Sequence, residues 1–122
     1  MQRKTISFDT ILKMGLALPD VEEGTTYGAP SLKVRGKMFA CRPIHPSAEP
    51  ETLAVRIDFD QRDELMAADP ESYYLTEHYV NYPVVLVRLS RVHPDALRDL
   101  LAIGWRFVSA RAKRPARRKT RP

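Results

Sequence analysis

The chain has 122 residues, of which 43% are hydrophobic and 29% charged, with a formal net charge of +5. This length and balance are typical of one globular domain and exclude two cores of ordinary size. No apolar run approaches the roughly 18 residues that span a bilayer, and the first residues lack the apolar segment of a secretory signal. The single cysteine, Cys41, excludes an internal disulfide. We therefore expect a soluble protein of the reducing cytoplasm with no membrane partner.

The positive charge is concentrated at the C-terminal end. Residues 111–122 hold seven of the 20 Lys and Arg and no acid, so residues 1–110 carry 13 bases against 15 acids, a net charge of −2. A segment of this composition cannot bury a core, and we expect residues 1–110 to form the single domain and residues 111–122 a disordered tail. Such runs bind nucleic acid or another polyanion without reading sequence, or else serve only solubility.

The first half of the chain reads as a helix followed by strands. Ser7 is suited to cap the helix and Pro19 to end it. The apolar period then changes from helical to two. Gly36 supplies a tight turn into a strand over Lys37–Arg42, and after a proline-rich loop Thr52–Asp58 alternates as a further strand.

The second half reads as helix, two strands and helix. Asp60 is suited to cap the first of these helices. Ser72–Leu75 is a short strand, and Val84–Leu89 is the most strand-like run of the chain. The final helix starts at Pro94 and keeps an apolar stripe until Ala110. The order α-β-β-β-β-α-β-β-α predicts a two-layer α+β fold, in which three helices pack on one face of an antiparallel sheet of about five strands.

Four blocks stand out as a set: L-P-D-V-E-E-G-T-T-Y-G-A-P over residues 18–30, L-K-V-R-G-K-M-F-A over 32–40, Y-L-T-E-H-Y over 74–79 and Y-P-V-V-L-V-R-L over 82–89. With the closing Leu- and Trp-containing helix, they resemble the MmcQ/YjbR-like family over roughly residues 7–109. The resemblance implies a fold like that of secretion chaperones and a DNA-binding role of the double-wing kind. The chain departs from the family at Val80-Asn81, where a charged residue and a glycine are more usual, and its basic tail lies outside the shared region.

A row of cations along the strands is the first candidate site. Because side chains alternate along a strand, we expect one shared face of cations that consists of Lys33, Arg35, Arg56 and Arg88, with Lys37 and Arg42 at the hairpin. Neutralised phosphates release counterions, so such a face would bind nucleic acid; the alternative is a solvated face whose cations pair with Asp58 or Glu77. The nucleic-acid-binding residues predicted here and in the tail are Lys33, Arg35, Lys37, Arg56, Arg88, Arg114, Arg117, Arg118 and Lys119.

An aromatic group is the second candidate site. It consists of Tyr73, Tyr74, His78, Tyr79 and Tyr82. Glu77 beside His78 offers an acid–base pair, and the rings are able to stack on a base or a planar ligand. The alternative is a structural role in which the rings pack and the hydroxyls face water. We keep a small-ligand pocket at Tyr74, His78, Tyr79 and Tyr82 as a hypothesis.

No catalytic or metal motif is present in the sequence. Cys41 and His45 lack the further ligands of a structural zinc site, and Cys41 shares the apolar register of Phe39, so we expect a buried thiol. No serine lies in a G-x-S-x-G elbow, and no G-x-x-x-x-G-K phosphate loop occurs. We predict a non-enzymatic binding protein without metal or cofactor. Nucleic acid is the first expected partner, a protein bound at the sheet or its edge the second, and a small ligand the third.

Overall fold

Three helices and six strands form the protein, in a computed structural model that describes residues 5–119, with side chains over residues 5–111. The elements are α1 (Phe8–Leu16), β1 (Val21–Thr26), β2 (Ala29–Val34), β3 (Lys37–Cys41), β4 (Thr52–Arg56), α2 (Phe59–Ala68), β5 (Tyr73–Tyr74), β6 (Val84–Arg88) and α3 (Pro94–Lys119). The predicted α+β class and element order are confirmed. The sheet has six strands rather than about five, because the polar β1 pairs with β2 along its whole length.

All strands belong to one antiparallel sheet in the order β1-β2-β3-β4-β6-β5. Two-residue turns close the first two hairpins, and both residues of each turn have positive φ: 51° and 81° at Tyr27 and Gly28, 53° and 80° at Arg35 and Gly36. This geometry matches the right-handed twist of the flanking strands. Between β3 and β4 the register holds only two residue pairs, so the two strands diverge beyond them.

The helices cover one face of the sheet and enclose the main core. Sheet residues such as Phe39 and Val55 pack there against Ile11 of α1 and Leu101 of α3, all of them buried. A Cβ on Gly104 would lie 2.8 Å from Cγ1 of Val55 and 2.9 Å from the carbonyl oxygen of Arg56. The backbone of α3 therefore crosses directly over β4, where the strands diverge, and this crossing requires glycine.

The predicted N-terminal cap is confirmed for α1 and is wrong for α2. Ser7 caps α1, where its Oγ accepts a hydrogen bond from the amide of Thr10 at 3.2 Å. For α2 the prediction of Asp60 is wrong: Asp58 is the cap and accepts from the amide of Gln61 at 2.8 Å. The helix begins earlier than predicted because β4 ends at Arg56 rather than at Asp58.

The last helix extends past the apolar stripe that defines it in the sequence. α3 runs Pro94–Lys119, so the backbone is helical over residues 111–119, which the composition predicts as disordered. Lys and Arg are good helix formers, and cations are favoured at a helix C-terminus. The division into a domain and a tail at residue 110 stays a prediction. Within residues 5–119, no helix is long and apolar enough to cross a membrane.

Candidate functional site on the open sheet face

The sheet face opposite the helices bears a cavity of about 760 Å³. Its floor is formed by Cys41, Ala54 and Val84, which lie on the three adjacent strands β3, β4 and β6 and belong to a second, smaller apolar cluster. These side chains are short, so the sheet leaves a depression here. The volume falls within the range of about 300–1,000 Å³ that is usual for small-molecule sites.

Two loops form the walls of this cavity, Arg42–Pro46 after β3 and His78–Pro83 before β6. The rings of His45 and His78 stack across the gap with their centroids 3.6 Å apart and their planes 14° from parallel. Polar contacts support the same junction, because the Ser47 hydroxyl forms hydrogen bonds of 2.8 Å with Nδ1 of His45 and with the hydroxyl of Thr76. The two loops are therefore joined to each other.

The rim of the cavity is unusually apolar for a protein surface. Six large apolar side chains are exposed in the described part of the chain, and three of them line this cavity: Tyr27 (87% exposed), Ile44 (58%) and Tyr82 (56%). They come from three separate segments: the first hairpin turn and the two wall loops. Exposed apolar side chains that gather around one concavity are typical of a binding site.

The charged residues of the cavity lining are two arginines, Arg42 and Arg56, and the lining contains no Asp or Glu. The guanidinium carbon of Arg42 lies 5.2 Å from the centroid of the Phe8 ring of α1. Nε of Arg56 is buried and has no hydrogen-bond partner, and the Arg56 guanidinium carbon lies 5.8 Å from the centroid of the Phe107 ring. Burial lowers the pKa of Arg56, and the nearby positive charge of Arg111 lowers it further. Both causes disfavour the charged form, so this cation lies in an environment that lacks its counter-charge.

Cys41 contributes to the cavity as an apolar group. Burial raises the pKa of its thiol to about 11, from an ordinary value of 9.0. The thiol is therefore protonated at neutral pH, and a protonated thiol is neither a nucleophile nor a metal ligand. In the part of the chain with described side chains, no group of three or more His, Cys, Asp and Glu is placed to hold a metal ion.

The predicted cationic row is only partly assembled. Lys33 pairs in register with Met38, and Arg56 with Val84, so both cations emerge on the open face, as does Arg88 on β6. The prediction that Arg35 shares the strand face of Lys33 is wrong, because β2 ends at Val34. Arg35 lies in the turn with φ 53° and forms an ion pair of 3.3 Å with Asp20.

Arg88 is separated from the cavity and its charge is neutralised. Its Nε and Nη2 donate to the two carboxylate oxygens of Glu49 at 2.8 and 2.9 Å, and its Nη1 donates to the carbonyls of Pro70 and Glu71. Arg56 pairs with Val84, four residues before Arg88, so the two arginines are about 13 Å apart along the strand direction. The expected partner acids, Asp58 and Glu77, form no ion pair with these cations among the described residues; Asp20 and Glu49 do.

The structure divides the predicted aromatic group. His78, Tyr79 and Tyr82 line the cavity, whereas Tyr74 lies outside its lining. The Tyr74 hydroxyl accepts from the amide of Glu49 at 2.8 Å and bonds the Thr52 hydroxyl at 2.7 Å, and its ring lies under Arg88. Tyr73 is buried in the helix-side core.

Several lining residues were not predicted as site residues from the sequence. They are Thr26, Tyr27, Met38, Pro43, Ile44, Pro46, Ala54, Pro83 and Val84, whereas Cys41, Arg42 and His45 were considered there in other roles. One signal was available: Ala54 is small and apolar at a strand position that alternates with the core face. The expected shared register of Cys41 and Phe39 is wrong, because the pairing of β2 with β3 shifts between Met38 and Ala40, so Phe39 packs in the helix-side core and Cys41 on the open face. Of the predicted nucleic-acid-binding residues, Lys37 is exposed at the start of β3. The side chains of Arg114, Arg117, Arg118 and Lys119 lie outside the described residues.

The fold and the cavity define a small two-layer α+β protein with a concave, apolar site on the open face of its sheet. The YjbR family model matches residues 16–107, well over half of the chain, and the chain belongs to the YjbR family. It is 34% identical over 56 residues to uncharacterized proteins of Mycobacterium bovis and of two strains of Mycobacterium tuberculosis. That alignment covers 45% of this chain and only 43% of each relative.

A solved structure shares the fold. It is the crystal structure of a Deinococcus radiodurans protein with the family-model domain DUF419, at a TM-score of 0.75 and 24% sequence identity, covering 98% of this chain and 90% of the other. At this level of identity the likeness concerns the fold alone.

Proposed function

We propose that the protein is a non-enzymatic binding protein that holds a small organic molecule with a flat, apolar body in the cavity on its open sheet face. The observation that carries the proposal is the convergence of Tyr27, Ile44 and Tyr82, all exposed, on one cavity of about 760 Å³. A ligand that covers these three side chains removes their apolar surface from water, at about 25 cal/mol for each Å² buried.

The shape of the site favours a flat molecule. The floor is the sheet itself, with the buried Ala54 and Cys41, and one wall presents the edge-on pair of His78 and Tyr79, whose ring planes are 84° apart at a centroid distance of 4.7 Å. Aromatic edges and faces pack best on another planar group. This arrangement supports the third of the sequence-based hypotheses, the small-ligand pocket, with Tyr74 replaced by residues of the opposite loop.

We propose binding without chemistry because two candidate reactive groups near the cavity, the Cys41 thiol and the pair of Glu77 and His78, lack the arrangement that catalysis requires. The Cys41 thiol is protonated at neutral pH. Glu77, the acid considered as a partner for His78, is exposed and is not part of the lining. A general acid–base pair requires the two groups to face the same reacting atom.

The test uses phenylnaphthylamine, an uncharged fluorescent probe with a flat apolar body. We expect saturable binding to the folded protein and a loss of affinity of about fivefold or more in Ile44→Ser, which removes part of the rim. Leu16→Ser is the matched control, since Leu16 is an equally large aliphatic side chain, exposed on α1 and absent from the cavity lining. Equal affinities of both variants, or no saturable binding to the native protein, would refute the proposal.

Nucleic-acid binding is a second candidate, and it rests on a different part of the molecule. The backbone of α3 is helical to Lys119, through a segment that holds most of the seven C-terminal cations. A cationic helix favours contact with phosphates without reading sequence. Titration of labelled single- and double-stranded nucleic acid at two salt concentrations tests this candidate: we expect steep salt dependence that becomes flatter after deletion of residues 111–122. Salt-independent association, or none, would exclude it.

The protein-interaction alternative has less support. The longer edge strand of the sheet is β1, where the adjacent Glu22 and Glu23 are both exposed. Charges on an edge strand oppose the addition of a further strand. A partner that docks there has to supply cations to these two carboxylates.

A further inference from the structure

We propose that the ligand of the open-face cavity is an organic anion, whose negatively charged group binds Arg56 while its apolar body occupies the space between the two wall loops. This inference rests on the proposed function and names the ligand class. Its basis is the environment of one side chain, in comparison with the second arginine on the same face.

The environment of Arg56 lacks a counter-charge. Among the described residues no carboxylate lies within ion-pair distance of it, and its buried Nε has no hydrogen-bond partner. A buried donor without a partner destabilises the folded state, and more so when it is charged. The neighbouring groups worsen this environment, because Arg111 adds a second positive charge and Phe107 offers only the face of a ring.

Arg88 shows what a structural arginine looks like on this sheet. All three of its guanidinium nitrogens donate hydrogen bonds, to Glu49 and to two backbone carbonyls. Arg56 differs in each respect, although it lies on the same face and also at the end of a strand. The contrast indicates that the position of Arg56 is maintained for a partner that the protein itself does not supply.

The backbone holds Arg56 in place at the edge of the cavity. Its carbonyl oxygen lies 2.9 Å from the position that a Cβ on Gly104 would take, so α3 fixes β4 from the other side of the sheet. Arg56 pairs with Val84 of the floor and belongs to the cavity lining, and its guanidinium carbon lies 5.8 Å from the centroid of the Phe107 ring of α3. An anion bound there would lie against a pre-positioned guanidinium, which binds planar carboxylate and related groups in two-point geometry.

The remaining charges select the same ligand class. Arg42 adds a second cation to the lining, and no carboxylate is present to attract a cationic ligand. The other lining groups are mostly apolar or aromatic, so a highly polar anion such as free phosphate would leave most of the cavity without a partner. An aromatic or alicyclic acid satisfies both parts of the site.

The test uses two fluorescent probes with the same aromatic body. Anilinonaphthalene sulfonate carries one negative charge, and phenylnaphthylamine is its uncharged counterpart. We expect the wild-type protein to bind the sulfonate more tightly. In Arg56→Met, a substitution of similar length, the affinity for the sulfonate should fall by about tenfold or more, whereas the affinity for the uncharged probe should change by less than about threefold. Arg91→Gln, an exposed arginine outside the lining, is the matched control and should leave both affinities unchanged.

A second measurement separates a ligand-binding role from a structural one. Because Arg56 has no carboxylate partner, Arg56→Met should unfold at a denaturant concentration no lower than wild type, whereas Arg88→Gln should unfold at a lower one. A loss of stability in Arg56→Met comparable to that of Arg88→Gln would overturn the proposal, as would equal effects on the two probes. If neither probe binds to the wild-type protein, the proposed function itself is refuted.

Discussion

The guanidinium of Arg88 and the carboxylate of Glu49 form a two-point ion pair, with nitrogen–oxygen distances of 2.8 and 2.9 Å. The pair ties the end of β6 to the loop before β4, and two further hydrogen bonds tie it to the turn before β5. The pair also divides the cations of the open face into two kinds. Arg88 stabilises the fold through these hydrogen bonds. Arg56 has no hydrogen-bond partner at Nε and is the arginine that we propose to bind the ligand.

Removal of Arg88 should therefore destabilise the protein. Arg88→Gln loses four hydrogen bonds from a side chain that is only 27% exposed, and leaves the Pro70 and Glu71 carbonyls without their donor. We expect a decrease of about 2 kcal/mol in the free energy of unfolding, measured by urea denaturation. Arg91→Gln, which breaks an exposed pair of 3.7 Å with Glu71, should cost less than about 0.5 kcal/mol. Equal effects of the two substitutions would contradict this assignment.

The same pair predicts how stability depends on acid. The hydrogen bonds from Arg88 lower the pKa of Glu49 below its ordinary value of 4.5. A carboxylate with a lowered pKa stabilises the folded state above the ordinary pKa and loses this effect as the pH falls through the folded-state value. The stability difference between wild type and Glu49→Gln should thus be largest at neutral pH and shrink in acid. Glu22→Gln, on the exposed edge strand, is the control; a difference that stays constant with pH would exclude the coupling.

Close packing of α3 on β4 predicts an unusual response at Gly104. In an exposed helix interior Gly→Ala is stabilising by about 1 kcal/mol. Here the new methyl group would lie 2.8 Å from Val55 and 2.9 Å from a backbone oxygen that cannot move without the strand. We expect Gly104→Ala to lower the free energy of unfolding by about 1–3 kcal/mol. Thermal unfolding checks the sign, and a stabilised Gly104→Ala variant would show that α3 does not lie this close to the sheet.

The buried thiol of Cys41 predicts an alkaline effect. Its pKa in the folded protein is about 11, against 9.0 for the ordinary thiol. Since a raised pKa stabilises the fold fully only below the ordinary value, this contribution should be lost as the pH rises from 9.0 towards about 11. Alkylation of the native protein by iodoacetamide should keep accelerating over the same interval, because only the thiolate reacts. A rate that levels off near pH 9.0 would show an exposed, ordinary thiol.

Local signals in the sequence were sufficient for the element order. The Ser7 cap, the Gly36 turn and the Pro94 start each act within a few residues, so they could be recognised without a structure. The sequence-based predictions failed where strand pairing determines the structure. The strand β1 has little apolar alternation and is stabilised by its pairing with β2. Asp58 rather than Asp60 caps α2, because β4 ends at Arg56.

The sequence by itself determined the fold class, the order of helices and strands, and the open face of Lys33, Arg56 and Arg88, because alternation is a local property. It misplaced Arg35 and Cys41, where the end of β2 and a register shift in β3 intervene. Only the tertiary structure decided that the two loops ending at Pro46 and Pro83 meet through the His45–His78 stack, and that they enclose a cavity above Ala54. The tertiary structure also decided that Arg88 has a carboxylate partner, Glu49, and that Arg56 has none among the described residues. These facts depend on the pairing of β3, β4 and β6, which brings together segments that are distant in the chain and carry no joint signal in the sequence.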